Sequence, residues 1–419
     1  MVKRFPSWAI LGLAVTVVPF GEAFAQLGTV QDVARGVTVN TRPRTDYDPL
    51  GVRLGGFRLD GAVETGPGWD SNLFGRRQNV VSDGFVDELA NVNLRSDWTT
   101  HAVGASVTSD NRQYFKSGGQ DYNDWSVGGF GRYDFSVDAN VQAQYRHYRD
   151  HLDVRSFDVQ AAGIIQPVPY DSDEFQVSGQ QRFNRVGVLA IASYRTFQFE
   201  DTTFAGVRNP VSQNSFNTAV GAVGTSYSLS PGRMLNFIAR VQDIKYTNAV
   251  SRDRDSFTWE ALGGFEYDFD GVWQGRINVG WRQRQYSGPI KTLEGPAVEG
   301  SLTWAPTQLT TVRFNVARTI EESIRNDAVS FQRTQAGVVV DHEYLRNIIL
   351  TADTRLDRRE YESPNQRATL SLTTLQARYL LNRNMQLIGS YSYIHRIEAT
   401  AGFVEYSRNV LQVRLRFAL

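Results

Sequence analysis

The chain has no cysteine among its 419 residues. Disulfide frameworks, thiolate metal sites and cysteine nucleophiles are therefore excluded, and an oxidising compartment would hold no risk of mispaired thiols. Net charge is also lacking. With 44 basic residues against 44 acidic ones, no polyanion-binding surface is implied, and no nucleic-acid partner is expected. No glycine-rich phosphate loop is present. Beyond the N-terminus no apolar run approaches the roughly 20 residues of a membrane-spanning helix. A membrane, if crossed, must be crossed by strands.

What is present suits strands. Aromatics make up 12% of the chain and there are 36 glycines, a composition of long strands joined by hairpins. The clearest stretch is 257–286. Phe257, Trp259, Ala261, Gly263, Phe265, Tyr267 and Phe269 alternate with Thr258, Glu260, Gly264, Glu266 and Asp268, and Leu262 is the one apolar residue on the polar face. Asp270-Gly271 predicts a tight type I′ turn. On the return, Trp273, Ile277, Val279 and Trp281 alternate with Gln274, Arg276, Asn278, Arg282 and Arg284. Period-two alternation puts one apolar and one charged face on each strand. A soluble sheet would show the same alternation, but these arms are longer than its usual strands. Aromatics crowd both ends of the apolar face, as in the interfacial girdles of a transmembrane barrel.

Taken in order, residues 1–25 read as a cleavable secretory signal. Lys3 and Arg4 precede an apolar stretch, and Ala23-Phe24-Ala25 offers the small-x-small site. Residues 26–52 are read as a polar periplasmic arm, and 53–419 as the barrel. Short connections are expected at Trp98-Thr99-Thr100-His101, Ser136-Val137-Asp138, Asn184-Arg185, Ser230-Pro231-Gly232, Asp270-Gly271, Ala305-Pro306-Thr307, Leu345-Arg346-Asn347 and Asn382-Arg383-Asn384. Long ones fall around 66–83, 109–121, 150–172, 200–213, 246–255, 287–296, 321–328, 359–366 and 399–407. Short turns on one side and long loops on the other is the asymmetry of outer-membrane barrels. The count is eighteen strands, or sixteen if a bent strand has been split. The predicted fold is thus all-β, a closed antiparallel transmembrane barrel in a Gram-negative outer membrane. Strands 186–199 and 216–227 are apolar on both faces, and 369–381 reads as changing phase near Thr373, as at a bulge. The last strand alternates to the final residue. Leu415, Phe417 and Leu419 share a face, in the manner of a C-terminal assembly signal, although such signals most often end in Phe.

The segment Tyr47-Asp48-Pro49-Leu50-Gly51-Val52-Arg53-Leu54-Gly55-Gly56-Phe57 through Trp69-Asp70-Ser71-Asn72-Leu73-Phe74 resembles the N-terminal signature of the putative β-barrel porin 2 family. Gly51, Gly55, Phe57, Asp70 and Asn72 carry the likeness. Gly56 stands where Ser is common, Trp69 where Tyr is common, and Asp60-Gly61-Ala62 where the family usually has a proline. The resemblance implies an outer-membrane barrel, many members being linked to exopolysaccharide or capsule export. It implies an export pore with a periplasmic partner, beside the lipid, lipopolysaccharide and barrel-assembly machinery that any such barrel meets.

Inward positions on the later strands carry Glu260, Glu266, Arg276, Arg282, Arg284, Arg313, Asp353, Arg355, Asp357, Arg359, Arg414 and Arg416. Such a set suits either a wet lumen attracting anionic solutes or cross-strand pairing that stiffens the wall. A general or anion-preferring diffusion porin is therefore the alternative within transport. His147, Asp150, His151 and Asp153 are the cluster of catalytic or metal-like composition, and a hydrolase would have to use His147 and His151. Spacing alone makes this a hydrated strand end, so no enzyme, cofactor or metal is expected. Asp70 and Asn72 lack the later Glu of a calcium loop. A structural or adhesive barrel with a closed lumen is the remaining class.

Overall fold

The computed structural model describes residues 38–419 apart from 205, 206, 270, 401 and 402. The expected signal, residues 26–37 of the arm and Asp270 thus lie outside the described residues. Eighteen long strands follow one another round a closed sheet. They are β1 (Phe57–Asp70), β2 (Asp83–Ser96), β3 (Ala102–Tyr114), β4 (Tyr122–Ser136), β5 (Ala139–Leu152) and β6 (Val168–Phe183). Next come β7 (Val186–Phe199), β8 (Phe216–Ser230), β9 (Arg233–Tyr246), β10 (Ser256–Phe269), β11 (Trp273–Tyr286) and β12 (Leu293–Thr307). The last third is β13 (Thr310–Glu322), β14 (Ser330–Leu345), β15 (Ile348–Tyr361), β16 (Gln366–Leu380), β17 (Met385–Ala399) and β18 (Ser407–Ala418). Every neighbour pair is antiparallel, and β1 also pairs with β18, as in Val63 opposite Phe417. Closure leaves no open strand edge, which is the condition for a sheet to lie in lipid.

The two faces are inverted relative to a soluble protein. Trp281, Val279, Ile277, Phe237, Val223 and Leu411 are exposed on the outside, whereas Glu260, Arg284, Asp357 and Arg414 are buried within. An exposed apolar belt surrounding a charged interior identifies the surrounding solvent as lipid. Leu262 does point inward, packed on Ile238 and Ala297. Trp273 stacks on Trp304 at 5.0 Å near the turn end, part of the expected girdle.

Eight short connections lie at one end and nine longer ones at the other, so the strand count is eighteen and not sixteen. Some boundaries move. The connection expected at Ala305-Pro306-Thr307 lies at 308–309, because β12 continues past a register irregularity between Trp304 and Thr307. At the expected Asp270-Gly271 turn, Phe269 stands opposite Trp273 and Gly271 has φ +70°, and the turn type itself falls on Asp270, outside the described residues. Residues 66–70, 109–114, 150–152 and 168–172, assigned to loops, extend β1, β3, β5 and β6. Barrel strands run beyond the lipid into water, where a polar composition no longer marks a loop.

The phase change near Thr373 is absent. Leu370, Leu372, Thr374 and Gln376 stay on the inner face, and the bulge falls in the partner strand, where the ladder steps from Glu398 to Arg396 opposite Thr369 and Leu370. Leu372 looks out of phase because it is an inward apolar residue, packed on Ile394 and Tyr406. The strands with two apolar faces, β7 and β8, have the same cause. Phe197, Phe199 and Phe216 turn inward beneath the long loops and pack with Val159, Tyr170 and Tyr246.

Candidate functional site

The two mouths of the barrel and the wall between them are the places where a solute could be handled. The wall comes first. On β10, Glu260 accepts a 2.5 Å hydrogen bond from Arg240 of β9 and is paired with Arg282 of β11. Arg282 also donates to the Arg318 carbonyl at 2.9 Å. Arg284, 1% exposed, binds Glu322 and donates to Thr258 at 2.8 Å. Arg333 holds Asp357 at 2.8 Å and Glu321 at 3.2 Å, and Arg359 lies 3.4 Å from the same Asp357. Arg313 pairs with Asp341 at 2.7 Å, and Arg355 with Asp353 at 2.6 Å. Glu64 of β1 receives Arg416 at 2.5 Å and Arg414 at 3.4 Å, tying the first strand to the last. Glu266 stands opposite Arg276 in register.

Many of these positions are held by partners that were not among those read from the sequence, Arg240, Glu322, Asp341, Arg333 and Glu64. Arginine in a low-dielectric interior needs such partners, since an uncompensated buried charge costs several kcal/mol. The arrangement serves the wall first. Arg355 and Arg313 keep about half and two fifths of their side-chain surface open (50% and 40%), so their guanidiniums can still meet a solute.

The loop-side mouth carries a cap that the sequence reading missed. The loop at 153–167 folds inward and contains a short helix, α1 (Phe157–Ala161), whose N-cap is Ser156. Phe157 enters a cluster with Phe331, Tyr361, Ala328, Ala368 and Phe403. The guanidiniums of Arg359 and Arg396 lie 4.7 and 4.5 Å from its ring centre. Val159, facing the other way, is sealed among Phe197, Phe216 and Ile244. Asp158 accepts from Ser323 at 2.8 Å and Tyr361 at 2.9 Å. Gln160 donates to the Gly75 carbonyl at 3.0 Å and is bound by Arg396. Arg155 donates to the Leu73 carbonyl at 3.0 Å. The loop thus grips the first long loop, the wall strands β14–β17 and the aromatic rim of β6–β9. Burial works to raise the Asp153 carboxyl, but the adjacent Arg155 outweighs it and holds it at about 2. Asp158 is pushed above the usual range by burial, which Arg359 only partly offsets. The available signal was Ser156-Phe157-Asp158-Val159, a capped helical start inside a long loop.

Asp70 and Asn72 sit where β1 meets β18 on this same side, and Gly51, Gly55 and Phe57 at the opposite, turn-side start of β1. Asp70, fully buried, takes two hydrogen bonds from Arg408, at 2.9 and 2.7 Å. Asn72 clamps the loop by donating to the carbonyls of Arg76 at 2.8 Å and Ser407 at 3.0 Å. Phe57 packs edge-on to Trp98, and Gly51 and Gly55 adopt φ of +68° and +63°. Asp70 and Asn72 thus bind the first strand and its loop to β18. Leu411, Val413, Phe417 and Leu419 face outward into the lipid zone.

The histidine cluster does not assemble. His147 lies on the outer surface, 2.9 Å from Asp173 and against Trp125. His151 is buried inside the rim, stacked on Tyr122 and 2.9 Å from Asp124, while Asp153 turns to Arg155. Asp124, Asp150 and His151 bring ligand-type atoms within 4.8 Å of one another, with the imidazole Nδ1 hydrogen-bonded to Asp124. The two histidines stand on different faces of the wall and share no reaction space.

The turn-side mouth is crossed by the N-terminal arm. Residues 38–48 lie inside the barrel end, where Val39 is fully buried against Ile349 and Leu380, with Tyr47 beside them. Arg44 pairs with Glu343 at 2.8 Å, and Asn40 donates to Asp341 at 3.1 Å. Over residues 38–48 the arm read as polar and periplasmic packs into the turn-side mouth.

Among solved structures, the chain is similar to a BenF-like porin from Pseudomonas fluorescens Pf-5, at 10% identity and a TM-score of 0.49, covering 87% of this chain and 100% of that one. It is also similar to Pseudomonas aeruginosa OccK2 (OpdF), at 10% identity and 0.47, covering 86% and 98%. Acinetobacter baumannii OccAB2 gives 10% and 0.46, covering 86% and 98%. Similarities this distant carry no weight for substrate or mechanism. No curated protein matches the chain. The profile of one family, described as Putative beta-barrel porin 2, matches residues 44–419, which takes in part of the arm, the Asp70–Asn72 closure and every strand. With its lipid-facing belt and charged interior, this chain is an outer-membrane porin-like barrel and belongs to the Putative beta-barrel porin 2 family.

Proposed function

We propose that the protein is the outer-membrane translocation pore of an exopolysaccharide or capsule export system. The observation that carries the reading is the charged inner wall from β9 to β18, where arginines and carboxylates replace an apolar core inside a wide barrel. A polyanionic chain passing along such a wall would meet exposed guanidinium at Arg313 and Arg355. The family resemblance supplies the link to polysaccharide, and a periplasmic partner would supply the driving force a barrel lacks. In this reading residues 1–25 are removed on export, and the face of Leu415, Phe417 and Leu419 is read by the assembly machinery. A diffusion porin, general or anion-preferring, would use the same wall.

Conductance in a planar bilayer separates these readings. Steady current blocked by acidic oligosaccharides, with block reduced in Arg313→Ala/Arg355→Ala, is the outcome expected for export. Current indifferent to oligosaccharides of any length favours the diffusion porin. Activity lost on replacing His147 and His151 would instead revive the hydrolase.

A further inference from the structure

The arm in the turn-side mouth is bound differently from everything else inside the barrel. It leaves the wall beside β1, where Gly51 donates to the Leu419 carbonyl at 3.2 Å, and reaches Thr311 on β13. That contact is five strands beyond β18 along the closed sheet. Its grip consists of few elements. Val39 fills an apolar socket made by Ile349 and Leu380. The Val39 amide donates to Thr311 at 2.9 Å, and Asn40 reaches Asp341. Arg44 closes on Glu343, both side chains about 95% buried (5% and 4% exposed). At its base lies a hairpin, Val52–Leu54 against Phe57–Leu59, flanked by Gly51 and Gly55 at positive φ. Glycines in that region let the backbone pivot where a side chain would resist.

We propose that residues 38–48 are a strap that shuts the turn-side mouth and swings out about the Gly51–Gly55 hinge, with Arg44–Glu343 as its latch. The inference rests on the reading of the barrel as a pore and adds how the pore is closed. The latch suits reversible release. Once the strap leaves, Arg44 and Glu343 both regain water at the mouth, whereas breaking the pair within the socket strands a buried charge.

Because the chain has no native cysteine, a single engineered pair reports on the strap. Val39→Cys with Ile349→Cys places the two thiols in one socket. The refolded full-length barrel is studied in planar bilayers, oxidised and then reduced, beside Glu343→Ala. The expected result is a closed, disulfide-linked channel whose open probability rises at least tenfold on reduction. Glu343→Ala, which lacks the latch, should open more often than both the reduced pair and the parent. Equal current in the oxidised and reduced states, with Glu343→Ala like the parent, overturns the strap while leaving the pore intact. Failure of the pair to oxidise in a folded barrel overturns its placement. Silence of every variant, including one with the cap loosened by Phe157→Ala, overturns both the strap and the pore reading.

Discussion

The two mouths of this barrel are filled by opposite means. At the loop end, one inward-folded loop is welded into two aromatic clusters and held by Arg155, Asp158, Gln160 and Arg396. At the turn end, the strap offers one fully buried apolar side chain, one buried carboxylate shared by Arg44 and Arg42, and single hydrogen bonds to Thr311, Asp341 and Arg383. Apolar burial is additive and insensitive to what passes through the lumen, at about 25 cal/mol per Å². An ion pair gains less against water and yields to competing charge. The cap is therefore built to stay and the strap to let go. A translocation pathway would skirt the cap but displace the strap.

The difference can be tested by loosening each end. Phe157→Ala empties the centre of one cap cluster and should cost about 3–5 kcal/mol of cap stability. Limited proteolysis of 153–167 against temperature would show it, with the barrel still resisting heat on a gel. Asp70→Asn weakens the Arg408 clamp beneath the cap. Removing one charge of a buried pair costs about 3–5 kcal/mol, less where a neutral amide keeps some of the hydrogen bonds. Melting in detergent measures it. Val39→Ala removes two buried methyl groups from the strap and should cost roughly 1–2 kcal/mol by burial alone. A loss as large as that of Phe157→Ala would erase the contrast between the mouths.

Acid should act on the cap through Asp153. Its folded carboxyl titrates at about 2 against an ordinary value of 3.8, so the deprotonated form stabilises the fold. That contribution is complete above pH 3.8 and is lost as the pH falls towards 2. Asp158 has the opposite sign, because its raised pKa means that acid relieves a buried charge. Asp153→Asn should flatten the acid loosening of the cap, and Asp158→Asn should steepen it, read by protease cleavage between pH 5 and pH 2. The smallest effect belongs to His147→Ala on the outer surface, within about 0.5 kcal/mol. A larger loss would show that the outer Trp125–His147–Asp173 contact supports the wall.

Alternation alone was enough to place the strands, because lipid outside and water inside impose period two on every crossing. It worked best on β10 and β11, where Leu262 is the inward aliphatic, and on the middle of β15, whose ends turn Ile349 and Tyr361 inward. It failed where the inner surface is dry. Phe197, Phe216 and Leu372 are inward yet apolar because loops fold over them, so their strands looked ambiguous or bulged. The twelve inner-wall positions were legible for the same reason as the strands. Their partners were not, since Arg240 and Arg333 are matched by the register of neighbouring strands and Glu64 by closure of the first strand on the last.

The sequence by itself determined an all-β barrel of eighteen or sixteen crossings, which face meets lipid and where the inward charges fall. These follow from local periodicity, which a single strand already displays. Only the tertiary structure decided what fills the two mouths. Phe157 meets Phe403, and Arg44 meets Glu343, across separations that no local pattern encodes. Both contacts exist because closing the sheet brings distant loops and an N-terminal arm over the same opening. There apolar side chains escape water by packing and buried charges by pairing.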